Sequence, residues 1–144
     1  RMRLDVSVNM LTMQALENAK ITVFGGEQTR PNIHIKDMIR VYEHFIDNPN
    51  IQSGCFNAGF ENISIIDIAK LISETIPSKI SISNSNDPRS YRQNSDKLIK
   101  TGFKQKYCID DAIKEIMLKY KSGNLKNSDK YYTVKWMKHL GLHV

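Results

Sequence analysis

Residues 21–37 read ITVFGGEQTRPNIHIKD, and the reading of this stretch decides the fold. The β-favouring run Ile21, Thr22, Val23, Phe24 ends at two glycines, a polar loop carrying one arginine follows, and Asn32, Ile33, His34, Ile35 alternate behind a proline. That pattern predicts two short strands flanking a polar loop, with Asp37 as the cap of a following helix. Gly25 and Gly26 leave room for a flat ligand to approach the backbone, and Gln28 offers an amide for a base or ribose. Arg30 presents a fork of donors that matches phosphate oxygens. An ordinary hairpin connection with a surface arginine fits the same spacing equally well.

Upstream of this stretch, Leu4, Val8, Leu11 and Ala15 fall on one helical stripe, which predicts a helix over 4–19 with Asn9, Thr12 and Met13 on another face. Downstream, Met38, Val41, Tyr42 and Phe45 form the apolar face of a second helix that ends at Asn48, Pro49, Asn50. Cys55 to Ala58 reads as a strand, and Ser64 with Asp67 resembles a capping box opening a helix through Ile76. A strand at Ile80 to Ile82, a polar loop over 84–93, a short helix from Ser95 to Gly102 and a clean helix from Ile109 to Tyr120 follow. The last stretch holds a helix around Tyr131 to His139. Strands alternating with helices indicate a mixed α/β (α+β) domain, and the strands are too short and too few for a full doubly wound sheet.

At 144 residues, with 40% hydrophobic and 25% charged content, the chain suffices for one core and not for two ordinary domains. Within that unit, 1–123 reads as the folded domain and 124–144 as a basic tail. The net charge of +6 is local: from Lys97 onward 11 lysines face 4 acidic residues, whereas the earlier part is slightly acidic. Lysines on an amphipathic helix and a polar tail read as a solvated face, so no nucleic-acid partner is expected, although Tyr131, Tyr132 and Trp136 interleave with lysines. Cys55 and Cys108 form no CxxC pair and read as small buried hydrophobes in a reducing, cytoplasmic setting. The sequence has no apolar run of membrane-spanning length.

Several chemistries find no motif. There is no GxGxxG, and Gly54 with Gly59 has P-loop spacing but continues into Phe60 and Glu61. His139 and His143 lack a carboxylate or thiolate to complete a metal set. Tyr131 and Lys135 share the YxxxK spacing of a proton-transferring pair, but lie in a lysine-rich tail with no cofactor-binding unit before them. They read as coincidence.

VFGGEQTRPNIHIKD, the earlier Asn9 in VNML and the later DPRSYRQNSDKLIKTGFK occur in an order that resembles the extended short-chain dehydrogenase/reductases, specifically their nucleotide-sugar epimerases and dehydratases. The resemblance covers about 1–120 and points to the small C-terminal substrate-binding domain. It implies that Asn9 contacts the diphosphate or sugar, that Gly25 and Gln28 line the nucleotide, and that Arg30 reaches ribose or phosphate. Arg89 would lie near the diphosphate, with Arg92 as the alternative; His34 and Asp37 would be structural, as a strand histidine and a helix cap. It further implies NAD(P), bound by a Rossmann half with the catalytic tyrosine and lysine, and homo-oligomerisation through that half. The chain reads as cut from something longer, with no catalytic residue and no turnover of its own. A free-standing nucleotide-sugar binding module would share the same loop.

Overall fold

The computed structural model describes residues 2–85, 87 and 89–142. Its elements run α1 (Ser7–Asn18), β1 (Lys20–Phe24), β2 (Thr29–Asn32), α2 (Ile35–Asp47), β3 (Glu61–Ser64), α3 (Ile65–Thr75), β4 (Lys79–Ser83), α4 (Asp96–Ile99), α5 (Ile109–Lys121) and α6 (Thr133–His139). A 3-10 turn at Asp129–Tyr131 precedes α6.

The two strands of the opening stretch do not form a hairpin with each other. β1 runs parallel to β4, pairing Ile21 with Ile80 and Val23 with Ile82, while β2 runs antiparallel to β3, pairing Arg30 with Ile63. Gly25 and Gly26, at φ +75° and +117°, make the turn that carries the chain from one sheet to the other. Such angles suit glycine because no Cβ meets the neighbouring carbonyl.

The main core lies between β1, α1, α3 and α5. Val8, Leu11, Ala15, Ile21, Val23, Ile68, Ala69, Ile72, Ile109 and Ile113 are all buried there. On α3 these residues recur at helical spacing, and Ser64 Oγ accepts the Asp67 N–H at 3.2 Å, so the expected cap and helix are present. A second cluster joins Leu4 and Met13 to Ile116 and Leu125, with Tyr131 and Tyr132 packed against it. The tail is therefore docked: Leu4 N–H donates to Tyr131 O, and Thr133 N–H donates to the Asp5 carboxylate, each at 2.8 Å. A third cluster of Val41, Leu98 and Phe103 packs α2 against α4.

Four local expectations are corrected. The second strand stops at Asn32, and His34 is the cap of α2, its Nδ1 accepting the Lys36 N–H at 3.1 Å. Asp37 lies inside the first turn of α2 instead of capping it, fully buried. The stretch Cys55 to Ala58 has no strand partner; the strand lies at Glu61–Ser64. Cys55 is exposed and Cys108 half-buried, so neither is a buried hydrophobe, and both are free.

One face of α2 remains uncovered. Ile35, Ile39, Tyr42 and Ile46, four or three residues apart, are exposed to 66%, 51%, 66% and 76%. No helix among the described residues is long and apolar enough to cross a membrane.

Candidate functional site

β2 places Arg30 beneath the segment that follows β4. This segment is drawn across the strand by Thr29, whose N–H donates to Ser90 Oγ at 3.0 Å and whose carbonyl accepts the Tyr91 N–H at 3.3 Å. Further along, Asn62 of β3 accepts the Gln93 N–H at 2.8 Å and donates to Gln93 O at 3.0 Å. Two short strands thus acquire a third, irregular neighbour through backbone and side-chain bonds together, and Arg30 is trapped between them.

The Arg30 side chain is only 19% exposed. Its Nη1 donates to Thr29 O at 3.0 Å and to Arg89 O, and the Tyr91 ring lies 5.0 Å from its guanidinium carbon. Nη2 reaches Asp87 Oδ2 at 3.4 Å, a loose contact. Arg89 grips the same carboxylate through Nε at 2.7 Å and Nη2 at 2.8 Å. Asp87 thus stands between two guanidiniums, and the donors of Arg89 hold its carboxyl down to about 2, with Arg30 adding a smaller attraction. The trio carries one net positive charge.

The other expected residues have their own partners. Gln28 folds back over the glycine turn, donating from Nε2 to Phe24 O at 3.1 Å and accepting the Gly26 N–H on Oε1 at 2.7 Å. Gly25 N–H donates to Ser83 O at 2.8 Å. Both glycine amides are therefore committed, and this strand-glycine turn does not form the open ring of N–H donors that a dinucleotide pyrophosphate requires. Asn9, on α1, donates from Nδ2 to Arg3 O at 2.7 Å. The fold joins Arg30 to Arg89 and Gly25 to Gln28, whereas the contacts of Asn9 are with the N-terminal segment.

Asp87 and Tyr91 lie in the DPRSYRQNSDKLIKTGFK stretch that carries the resemblance, but the sequence assigns neither of them a contact with Arg30. The Asp-x-Arg spacing was the available signal, since an aspartate can accept the N–H two residues on, as Asp87 Oδ1 does from Arg89 at 3.1 Å. The YxxxK pair does not share a helix: Tyr131 lies in the 3-10 turn, and Lys135 on α6 pairs with Asp129 at 2.8 Å. Among the described residues, no group of three His, Cys, Asp or Glu side chains is placed to hold a metal; His143 lies outside them. Two depressions of about 340 and 390 Å³ flank α2, one at Arg40 to Lys104 and one at Phe45 to Phe56, both away from Arg30.

No protein-family model matches the chain. Among solved structures it is similar to dTDP-glucose 4,6-dehydratase from Bacillus anthracis, with TM-score 0.69 and 16% identity over 92% of this chain and 43% of that one. It is similar to UDP-glucuronic acid 4-epimerase from Bacillus cereus, with TM-score 0.68 and 25% identity over 84% of this chain and 41% of that one. ADP-L-glycero-D-manno-heptose-6-epimerase from Helicobacter pylori matches with TM-score 0.65 and 19% identity over 77% of this chain and 36% of that one. The chain thus spans well under half the length of each. At these identities the likeness is one of architecture: the chain has the mixed α/β fold of a portion of the NAD-dependent extended short-chain dehydrogenase/reductases that act as nucleotide-sugar epimerases and dehydratases.

Proposed function

We propose that this chain is the C-terminal, nucleotide-sugar-binding portion of an NAD-dependent epimerase, dehydratase or dehydrogenase. The observation that carries the reading is the pair Arg30 and Arg89 converging on one carboxylate at the edge of the β2–β3 sheet. Planar guanidiniums so placed match the oxygens of a diphosphate. The shared fold with nucleotide-sugar enzymes supports the same ligand class. In this reading 1–123 is the binding domain, with the glycine turn and Gln28 beside the nucleotide, Asn9 toward the sugar and 124–144 a docked basic tail.

NAD would be held by a separate Rossmann half, because the glycine turn here has both amides engaged. The reaction would be hydride transfer at a sugar carbon, with the nicotinamide supplying that chemistry. This chain would bind and orient the sugar nucleotide without turning it over. The uncovered stripe of α2 supports such a second half, since a contiguous apolar face usually marks a contact surface. Free cysteines suit a reducing cytoplasm.

Calorimetric titration with ADP-, GDP-, UDP-, CDP- and dTDP-sugars tests the reading. Binding of one nucleotide class, lost in Arg30→Ala, is the expected result. Binding that survives Arg30→Ala removes this arginine from the site, and no binding of any class counts against the isolated chain as a binding unit.

A further inference from the structure

We infer that Asp87 is an internal competitor for the anion site: its carboxylate occupies the place between Arg30 and Arg89 that a ligand diphosphate must take over. The inference rests on the nucleotide-sugar reading above.

The argument comes from how differently the two arginines are held. Arg30 is fixed without Asp87, through two backbone carbonyls and the Tyr91 ring, and only its Nη2 edge faces the carboxylate, loosely at 3.4 Å. Arg89, with a side chain 76% exposed, is held among the described residues by Asp87 alone in its side-chain hydrogen bonds and ion pairs, in a two-point grip. An anion arriving at the Nη2 edge of Arg30 would therefore meet a preorganised donor and a carboxylate of its own sign. Displacing that carboxylate leaves Arg30 in place and frees Arg89 to swing onto the ligand.

Among the described residues, Asp87 is otherwise tied by its own N–H, which donates to Ser85 Oγ at 3.1 Å, and by its Oδ1 contact to the Arg89 N–H. Its carboxyl stays ionised across the ordinary pH range, so mild acid does not vacate the site. Ligand binding must do so, and the site discriminates against weak or singly charged anions that cannot outbid a carboxylate already in contact. A diphosphate, with more charge and more oxygens, can.

The test is titration of the full chain with UDP, ADP and inorganic pyrophosphate, comparing wild type with Asp87→Asn, Asp87→Ala and Asp87→Glu. Removing a like charge at this range should tighten binding by roughly five- to tenfold in Asp87→Asn and Asp87→Ala, and the gain should shrink at high salt. Asp87→Glu, which keeps the charge, should show no gain. Thermal unfolding of each variant checks that the fold is retained. If wild type binds and the neutral variants bind no tighter, Asp87 is a support for the arginines and not their competitor, while the nucleotide-sugar reading stands. If no variant binds any of the three probes, the inference and that reading fall together.

Discussion

The buried carboxylate of Asp37 accepts the backbone N–H of Tyr107 at 2.8 Å, joining two points 70 residues apart in the chain. The same oxygen accepts the Lys106 N–H at 3.0 Å, and Arg40, one turn along α2, pairs with the carboxylate and donates to Lys104 O at 3.0 Å. One acidic group thus locks the start of α2 to the segment entering α5. Asp37→Asn keeps one acceptor oxygen, so in either amide orientation its NH2 faces a donor, the two N–H groups or Arg40, and the ion pair is lost; it should cost roughly 2–3 kcal/mol. Urea unfolding measures this; a loss below about half a kilocalorie would mean that the lock is not structural.

Gly25 and Gly102 both have positive φ, but with different surroundings. A Cβ on Gly25 would stand 2.5 Å from Gln28 Nε2, whereas one on Gly102 meets nothing within 4 Å. Gly102→Ala should therefore cost backbone strain alone, about 1 kcal/mol, and Gly25→Ala that strain plus the Gln28 bridge, about 2 kcal/mol. Paired melting curves should rank them in that order, and the reverse order would show that the Gln28 bridge contributes nothing.

Asp5 joins the two chain ends, accepting the Thr133 N–H at 2.8 Å and pairing with Arg3 at 2.9 Å. The Arg3 donor, above all, holds the Asp5 carboxyl well below the usual aspartate range, against a smaller opposing effect of burial. A depressed acid stabilises the folded state fully above the unfolded value of about 4, and that contribution is lost as pH falls through the folded value. Hydrogen exchange of the tail amides should thus accelerate in strong acid, and Asp5→Asn should reproduce that acceleration at neutral pH. Equal protection in both proteins at pH 7 would detach Asp5 from the docking of the tail.

Ile39 and Ile46 contribute to the uncovered stripe of α2 without entering the core. Ile39→Lys with Ile46→Glu should leave stability in urea unfolding within about half a kilocalorie per site. A loss of several kilocalories would place these side chains in the core after all.

The legible parts of the fold were those written in local chemistry. α3 and α5 announce themselves through apolar spacing and, for α3, the Ser64 cap; β1 and β4 do so through β-branched runs. What was hidden is pairing. Ile21 meets Ile80 and Arg30 meets Ile63, and no local pattern distinguishes that crossing from a simple hairpin. Asn32, Ile33, His34, Ile35 alternates as a strand does, although the His34 ring nitrogen caps a helix as a hydroxyl can. At the site, Arg30 stood out by its donors, but Asp87 lies 57 residues away and joins it only through the folded loop.

The parallel pairing of β1 with β4 has a consequence for how the chain is made. Lys20–Phe24 leaves the ribosome long before Lys79–Ser83, and everything between them must be synthesised while β1 lacks its sheet neighbour. Until residue 83 has emerged, the apolar Ile21 and Val23 lack the one strand that pairs with β1 among the described residues, and the nascent chain carries that stretch without a sheet to hold it.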